Sequence, residues 1–214
     1  MLLVGILSSY VLGSIPTAFI FGRIIKGIDI RKFGSGNVGA TNVFRVMGPV
    51  WGVIVLLLDI LKGFVAVAVL ANYYINSWNY SAILLYIFFG FVCISGHNWS
   101  IFLHFRGGKG VATTLGVLIG LATVVSQIRI VLLLVLVIWV VVFSISRIVS
   151  LASLSSAVAL PILMLVFQQS KELLIFVILL SLFVIFRHKK NIVGLLSGKE
   201  GPLIQRKRFH RKHD

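Results

Sequence analysis

The sequence is poor in acidic residues and has a single cysteine. Five Asp and Glu residues stand against 20 Lys and Arg residues in a chain of 214, which gives a formal net charge of +15. Cys93 has no second cysteine to pair with, so a disulfide framework and a cysteine-based metal site are both excluded. Because the acids are scattered along the chain, we also expect no carboxylate-bound metal ion and no other cofactor.

Long apolar runs dominate the composition instead. Hydrophobic residues make up 59% of the chain and charged residues 12%, and the mean hydropathy of +1.08 is too high for a soluble domain. A helix crosses the apolar core of a bilayer with about 20 residues. We therefore predict an all-α integral membrane protein, one domain over 1–214 with a basic tail over about 187–214. Its seven or so transmembrane helices are expected near 2–22, 50–71, 81–96, 111–126, 130–146, 150–167 and 173–186.

A few residues inside these apolar stretches are expected to shape the helices. Pro16 and Pro161 should kink the helices that contain them, and Pro49 stands where a helix can begin. Asp59 and Lys62 are three residues apart, so they face the same side of one helix. Since ionised groups at membrane depth are costly unless paired, we predict that these two form an ion pair beside the functional site.

Basic residues fall mainly in alternate connections between the apolar stretches. One set of connections, together with the C-terminal tail, holds seventeen of the 20 Lys and Arg residues, whereas the opposite set holds only Arg129 and Lys171. Because basic loops favour the cytoplasmic side, we predict an external N-terminus and a cytoplasmic C-terminus. The same bias explains the net charge, so no nucleic-acid partner is expected.

The first polar stretch, 34–42, is rich in glycine and in hydrogen-bonding side chains. Closely spaced glycines let successive backbone N–H groups turn toward an anion, and Arg45 follows with a fixed positive charge. The pattern indicates a phosphate cradle, although a flexible loop with helix-capping residues has the same composition. The glycines are Gly34, Gly36 and Gly39, and the side-chain donors are Ser35, Asn37, Thr41 and Asn42.

The second polar stretch, 96–110, ends in Gly107-Gly108-Lys109-Gly110 directly before a predicted helix. Backbone N–H groups, the helix dipole and the Lys109 ammonium can converge there on a phosphate. It is not a Walker P-loop, because Gly110 stands where Ser or Thr would bind Mg²⁺. His97 and His104 have no accompanying carboxylate, so a metal site is not favoured.

The third polar stretch, 188–200, follows the last apolar stretch. If the helix continues beyond the membrane, His188 and Asn191 share one face and can hold a polar substrate. The adjacent bases Arg187, Lys189 and Lys190 need no such role, because bases commonly mark the cytoplasmic end of a span.

These three stretches together resemble the acyl-phosphate:glycerol-3-phosphate acyltransferases of bacteria, which are small multi-span membrane enzymes. The family patterns GSGNxGATN, GHxxxxFxxFxGGKG and HxxNIxxLLxGxE are met over 34–42, 96–110 and 188–200. We call these ranges the first, second and third motifs. Two positions depart from the pattern: Arg106 stands where Lys is usual, and Gly194 stands where Arg is common.

The resemblance implies a seven-helix fold and a set of site residues. The catalytic residues that it implies are Ser35, Lys109, His188 and Asn191. The implied substrate-binding residues are Gly34, Gly36, Asn37, Gly39, Thr41, Asn42, Arg45, His97, Arg106, Gly107, Gly108, Gly110 and Glu200. It also implies a protein of the bacterial cell membrane that takes part in phospholipid synthesis and works as a monomer among membrane lipids.

The implied reaction moves a fatty acyl group from acyl phosphate to the 1-hydroxyl of glycerol 3-phosphate, which gives lysophosphatidic acid and phosphate. Two routes are open for the hydroxyl proton, since either His188 or the leaving phosphate can accept it. A transporter of phosphate or an organophosphate is the alternative function, because charged residues within broken helices also suit transport.

Overall fold

The computed structural model describes residues 1–79 and 81–203, so positions 204–214 of the predicted basic tail lie outside the described residues. The described part is helical and contains no strand. Its α-helices are α1 (Leu2–Ser14), α2 (Thr17–Lys26), α3 (Ala40–Met47), α4 (Pro49–Val65), α5 (Ala82–Asn98), α6 (Val111–Val124), α7 (Ile128–Ser146), α8 (Val149–Val166), α9 (Lys171–Arg187) and α10 (Lys189–Leu196). Helix α4 continues as a π-helix over Ala66–Ala71, and Ile30–Lys32, Ile75–Ser77 and Ile101–Leu103 are 3₁₀ turns.

Each of the seven predicted apolar stretches contains a helix, but the helices differ in length. Four candidates are long and apolar enough to cross a membrane: Pro49–Ala71, Ala82–Leu103, Ile128–Ser146 and Val149–Val166. Helices α1 and α2 together make a fifth candidate with a 44° bend. Helix α6 has 14 residues and α9 has 17, which correspond to about 21 and 26 Å. The predicted all-helical architecture is therefore confirmed with four or five candidate spans.

The bend in the first span lies at Pro16, as the sequence predicts. A buried ion pair on α4 supports this break, because Lys62 Nζ lies 2.8 Å from Asp59 Oδ1 and donates to the carbonyl of Ile15 at 3.2 Å. Thr17 Oγ1 also donates to Asp59 Oδ1 at 2.7 Å. The predicted pairing is thus present, and it ties α4 to the break between α1 and α2.

The other two prolines behave differently from each other. Pro49 is the first residue of α4, where its missing N–H has no helical acceptor, as expected. Helix α8 continues through Pro161 to Val166, so this proline does not end its helix.

Glycines bring the backbones of α4 and α6 into direct contact. A Cβ atom on Gly116 would lie 1.9 Å from the carbonyl oxygen of Ile60, and one on Gly63 would lie 2.1 Å from that of Thr113. Both distances are far below van der Waals contact, so only glycine fits at either position. Close approach at small residues is a common way to pack membrane helices.

Helices α1 and α5 pack in the same manner. A Cβ atom on Gly13 would lie 2.0 Å from the carbonyl oxygen of Cys93, and one on Gly96 would lie 2.2 Å from that of Tyr10. Since Gly96 begins the second motif, this contact fixes the end of α5 from which that motif departs.

Apolar side chains cover the outward faces of the longest helices. Helix α7 exposes Leu133, Val137 and Val141, and α9 exposes Ile175, Leu179 and Leu182. Exposed apolar surface of this extent suits a lipid environment rather than water.

An ion pair anchors the segment between α2 and the first motif. Asp29 caps the Ile30–Lys32 turn by accepting from the Arg31 backbone N–H at 3.1 Å, and Arg31 Nη2 lies 2.7 Å from Asp29 Oδ2. The side-chain hydrogen bond from Arg31 lowers the pKa of Asp29 to about 2. The carboxylate therefore remains ionised at neutral pH and holds the chain that leads into the first motif.

Candidate active site

The first motif is a tight turn built around the side chain of Asn42. The Asn42 Oδ1 atom accepts from the backbone N–H of Ser35 at 2.8 Å, and Nδ2 donates to the carbonyls of Ile30 and Phe33 at 3.1 and 3.0 Å. A Cβ atom on Gly34, whose φ is +60°, would lie 2.3 Å from Asn42 Oδ1. Asn42 is fully buried, so it shapes the turn and is not placed to bind substrate.

The backbone donors of this motif are only partly occupied by protein acceptors. The N–H groups of Ser35 and Gly36 are already bound, the latter to the carbonyl of Phe33 at 3.0 Å. Helix α3 begins inside the motif, however, and within the described chain the N–H groups of Ala40 and Thr41 have no protein acceptor. Among the described residues the N–H groups of Gly34 and Gly39 also have no protein acceptor, so two of the predicted glycines and the start of α3 all offer free donors.

Two glycines of the second motif, Gly107 and Gly108, have bound N–H groups and a packing role instead of the predicted donor role. The N–H of Gly107 donates to the carbonyl of Asn98 and that of Gly108 to the carbonyl of His97, each at 3.1 Å. A Cβ atom on Gly108 would lie 2.3 Å from His97 Nε2. Neither glycine lines the cavity described below, and Arg106 is an exposed residue outside it.

Lys109 lies directly before the N-terminus of α6, as predicted. Gly110 caps that helix with a φ of +79°, and the N–H groups of Val111 and Ala112 have no acceptor among the described residues. Lys109 Nζ donates to the side-chain oxygen of Asn191. Burial lowers the pKa of Lys109 to about 8, so the ammonium is charged at neutral pH but loses its proton as the pH rises through that value.

His188 lies at the junction of α9 and α10 and is 3% exposed. Its Nδ1 donates to the carbonyl of Val184 at 2.8 Å, because a carbonyl can only accept, and Nε2 is therefore the nitrogen without a proton. Burial, and next to it the charge of Lys109, lower the pKa of His188 to about 4. The imidazole is thus neutral at pH 7 and a weak base.

Glu200 holds Asn191 in place. Its Oε1 accepts from Asn191 Nδ2 at 2.7 Å and from Ser150 Oγ at 2.8 Å. This carboxylate already has two donors, and it would repel a phosphate at close range. Its geometry therefore supports the orientation of Asn191 rather than direct contact with an anionic substrate.

One cavity of about 440 Å³ collects most of the predicted site residues. Ten of them line it together with Glu200: Ser35, Asn37, Gly39, Thr41, Arg45, His97, Lys109, Gly110, His188 and Asn191. The others lie outside its lining, namely Gly34, Gly36, Asn42, Arg106, Gly107 and Gly108. Three motifs that are far apart in sequence therefore meet at one site.

The cavity continues from its polar end between α6, α7, α8 and α9. Its lining there is largely apolar and includes Leu118, Leu132, Leu136, Val140, Leu160 and Leu180. From Ser150, which bonds to Glu200, to Leu160 is ten residues along α8, or about 15 Å. A polar head group at one end and an apolar chain of that length can thus occupy the cavity together.

Ser150 and Arg187 were not assigned to this site from the sequence, whereas Asp59 was expected beside it. Asp59 lines the cavity beside His97, and their atoms Oδ1 and Nδ1 lie 3.7 Å apart. Ser150 binds Glu200, but a serine near the start of a helix carries no special signal in the sequence. Arg187 donates to the carbonyls of Gly107 and Gly108, a contact that the sequence did not predict, and it does not line the cavity.

The described residues define a helical membrane protein whose cavity joins a cationic end to an apolar one. The sequence profile of the family described as "Glycerol-3-phosphate acyltransferase" matches residues 3–198. The chain therefore belongs to the glycerol-3-phosphate acyltransferase family, which confirms the family that the three motifs indicated.

Relatives and solved structures agree with this assignment over almost the whole chain. The chain is 40% identical over 202 residues to the glycerol-3-phosphate acyltransferase of Desulforamulus reducens, covering 94% of this chain and 95% of that one. It is 41% identical over 206 residues to glycerol-3-phosphate acyltransferase 2 of Moorella thermoacetica, covering 96% and 100%. Crystal structures of PlsY (YgiH), an integral membrane glycerol 3-phosphate acyltransferase, have TM-scores of 0.81 in the glycerol 3-phosphate form and 0.78 in the lysophosphatidic acid form. Both are 36% identical and cover 94% of each chain.

Proposed function

We propose that this protein transfers a fatty acyl group from acyl phosphate to the 1-hydroxyl of glycerol 3-phosphate, giving lysophosphatidic acid and phosphate. The observation that carries the proposal is the single cavity with a cationic end and an apolar end. The related PlsY structures are named for forms with glycerol 3-phosphate and lysophosphatidic acid, an acceptor and a product of this chemistry. The reaction would serve bacterial phospholipid synthesis.

The cationic end suits the two phosphate groups that the reaction brings together. Arg45 and Lys109 supply positive charge, and the N-termini of α3 and α6 add unpaired N–H groups. Acyl phosphate is already activated, so the site has to hold both substrates, stabilise the oxyanion and neutralise the leaving phosphate. One well-placed oxyanion donor contributes about 3 kcal/mol to transition-state stabilisation.

Side-chain hydroxyls and amides complete the polar end. The hydroxyls of Ser35 and Thr41 line the cavity, and each lacks a hydrogen-bond partner in the part of the chain that the structure describes. Asn191 is oriented by Glu200 and bonds to Lys109. These groups are placed to bind substrate oxygens and to align the acyl carbon with the attacking hydroxyl.

We assign the proton of the attacking hydroxyl to the leaving phosphate rather than to His188. The lowered pKa of His188, about 4, makes it a poor acceptor near neutral pH, and its Nδ1 proton is held by the Val184 carbonyl. His188 then acts by positioning substrate through Nε2. In residues 1–79 and 81–203, no three His, Cys, Asp or Glu side chains are grouped to hold a metal ion.

The proposed setting is the bacterial cell membrane, with residues 1–214 forming one multi-pass domain that works as a monomer. Helices α6 and α9 would complete seven spans alongside the five candidates, because tilting of neighbours and local thinning of the bilayer accommodate short helices. The positive-inside rule supports an external N-terminus and a cytoplasmic active site.

Cysteine labelling tests this orientation. In a Cys93→Ala background, Ser197→Cys should react with an impermeant thiol reagent only after the cells are opened, whereas Ser77→Cys should react in intact cells. Both serines are exposed, so accessibility within the protein does not limit either reaction. Labelling of Ser197→Cys from outside, with Ser77→Cys protected, would show that the proposed orientation is inverted.

A donor comparison tests the proposed reaction. Purified protein with labelled glycerol 3-phosphate should form lysophosphatidic acid with palmitoyl phosphate and not with palmitoyl-CoA. The rate should be unchanged by EDTA, because the leaving phosphate is neutralised by side chains and backbone. Product formed only with palmitoyl-CoA would refute acyl phosphate as the donor. Loss of turnover in EDTA that Mg²⁺ restores would refute the metal-free mechanism.

A further inference from the structure

Arg187, the last residue of α9, connects that helix to the second motif through three backbone carbonyls. Its guanidinium donates from Nε and Nη2 to the carbonyl of Gly108, from Nη2 to the carbonyl of Gly107 at 3.1 Å, and from Nη2 to that of Asn98 at 3.4 Å. The side chain is half-buried at the end of α9. The next bases along the chain, Lys189 and Lys190, are exposed and have no such contacts in the described chain.

The bonds from Arg187 hold the segment immediately before Lys109 from the side of α9, in addition to the bonds that hold it to α5. The N–H groups of Gly107 and Gly108 bind carbonyls at the end of α5, and their own carbonyls bind Arg187 on α9. Each of the two glycines therefore has both its N–H and its carbonyl group bound. Because Lys109 and the N-terminus of α6 follow directly, their direction depends on how this segment is held.

We propose that Arg187 is a positioning residue, which clamps the Gly107 and Gly108 carbonyls so that Lys109 and the N-terminus of α6 face the substrates. This proposal rests on the proposed function, because it assigns the phosphate-binding role to Lys109. A planar guanidinium suits the task, since it directs several donors at fixed angles, whereas a lysine ammonium is a compact point charge.

Arg187 also contributes to the electrostatic environment of Lys109. The positive charges of Arg45 and Arg187 lower the pKa of Lys109, after the larger effect of burial, and Glu200 raises it. The other titratable groups that face this end of the cavity are Asp59, His97 and His188. Removing the charge of Arg187 should raise the pKa of Lys109. A smaller fraction of folded protein would lower the rate but would not change this pKa.

The test compares Arg187→Gln, Arg187→Lys and the exposed control Lys190→Gln by kcat/KM as a function of pH. We expect Arg187→Gln to lower kcat/KM about 10- to 100-fold, the effect of losing hydrogen bonds from a charged donor. Its alkaline limb, which is expected near pH 8 in the parent protein from the pKa of Lys109, should move to higher pH. Arg187→Lys should leave the alkaline limb in place, with a kcat/KM between those of Arg187→Gln and the parent protein. Lys190→Gln should match the parent protein in both respects.

Wild-type rates and an unmoved alkaline limb in Arg187→Gln would overturn the proposal, provided that Lys109→Ala loses at least about 30-fold in kcat/KM in the same assay. If Lys109→Ala keeps near-normal activity, the proposed function of the site fails instead. Should Arg187→Gln not fold, Arg187→Lys decides the question. If kcat/KM of Arg187→Lys equals that of the parent protein, the several donors of the guanidinium are not needed. A lower kcat/KM in folded Arg187→Lys protein, with an unmoved alkaline limb, would support the clamp.

Discussion

Replacing Lys109 or Arg45 by alanine is expected to lower kcat/KM about 30- to several-thousand-fold. A cation that contacts phosphate in a partly dehydrated site contributes roughly 2–5 kcal/mol to binding and transition-state stabilisation. Both residues line the cavity, and helices α3 and α6 begin beside it. The measurement is steady-state kinetics with glycerol 3-phosphate and acyl phosphate on folded, membrane-inserted protein.

Lys190→Ala is the matched control for this prediction. It removes the same charge from an exposed position on α10, where the contribution should be below about 1 kcal/mol. If all three cations only served topology or attraction to the membrane surface, the three variants would show similar small losses. Near-normal turnover of Lys109→Ala and Arg45→Ala would show that phosphate is bound elsewhere.

Gly116→Leu is expected to destabilise the protein by at least about 3 kcal/mol, or about 10 °C in melting temperature. The added Cβ would lie 1.9 Å from the Ile60 carbonyl oxygen, and a backbone oxygen inside a helix cannot move aside. Helices α4 and α6 would have to separate, which also displaces Lys109 at the start of α6. Thermal unfolding in detergent, followed by tryptophan fluorescence or aggregation, measures the loss.

The control for this prediction is Val124→Leu, which enlarges an exposed position at the end of the same helix. It should leave the melting temperature within about 2 °C of the parent, because lipid-facing positions tolerate larger apolar side chains. Equal melting temperatures for Gly116→Leu and the parent protein would contradict the close packing of α4 on α6.

Much of this architecture could be predicted because local chemistry determines it. Hydropathy located the helices, Pro16 located the break in the first span, and the spacing of Asp59 and Lys62 predicted their ion pair. Three polar motifs on one side of the membrane were also enough to expect a shared site. For the helices, the break and the ion pair, the information lies within a few residues of the feature it predicts.

The hydrogen-bond partners at the site could not be predicted in this way. The donors of Arg187 reach carbonyls that are 79 to 89 residues away in the chain. The N–H groups of Gly107 and Gly108 could have faced an anion or a carbonyl, and only the packing of the loop against α5 decides between them. The sequence therefore indicates which residues meet, but not which of them touches the substrate.

The departure at Gly194 lies next to Glu200 and outside the cavity lining. Its carbonyl accepts from the N–H groups of Lys199 and Glu200, at 2.8 and 3.0 Å, and a Cβ there would lie 3.1 Å from Glu200 Oε2. The side chain of a basic residue at position 194 would begin next to Glu200. Gly194 does not line the cavity. Its lack of positive charge therefore leaves the cationic end formed by Arg45 and Lys109 unchanged.

The most direct test of the central claim is to measure lysophosphatidic acid and inorganic phosphate in the same reaction of the purified protein. Acyl transfer from acyl phosphate to glycerol 3-phosphate predicts about one phosphate released for each lysophosphatidic acid formed. It also predicts that both products depend on glycerol 3-phosphate and that both fall by the same factor in Lys109→Ala. Phosphate release without lysophosphatidic acid, at the same rate whether or not glycerol 3-phosphate is present, would contradict acyl transfer at this site.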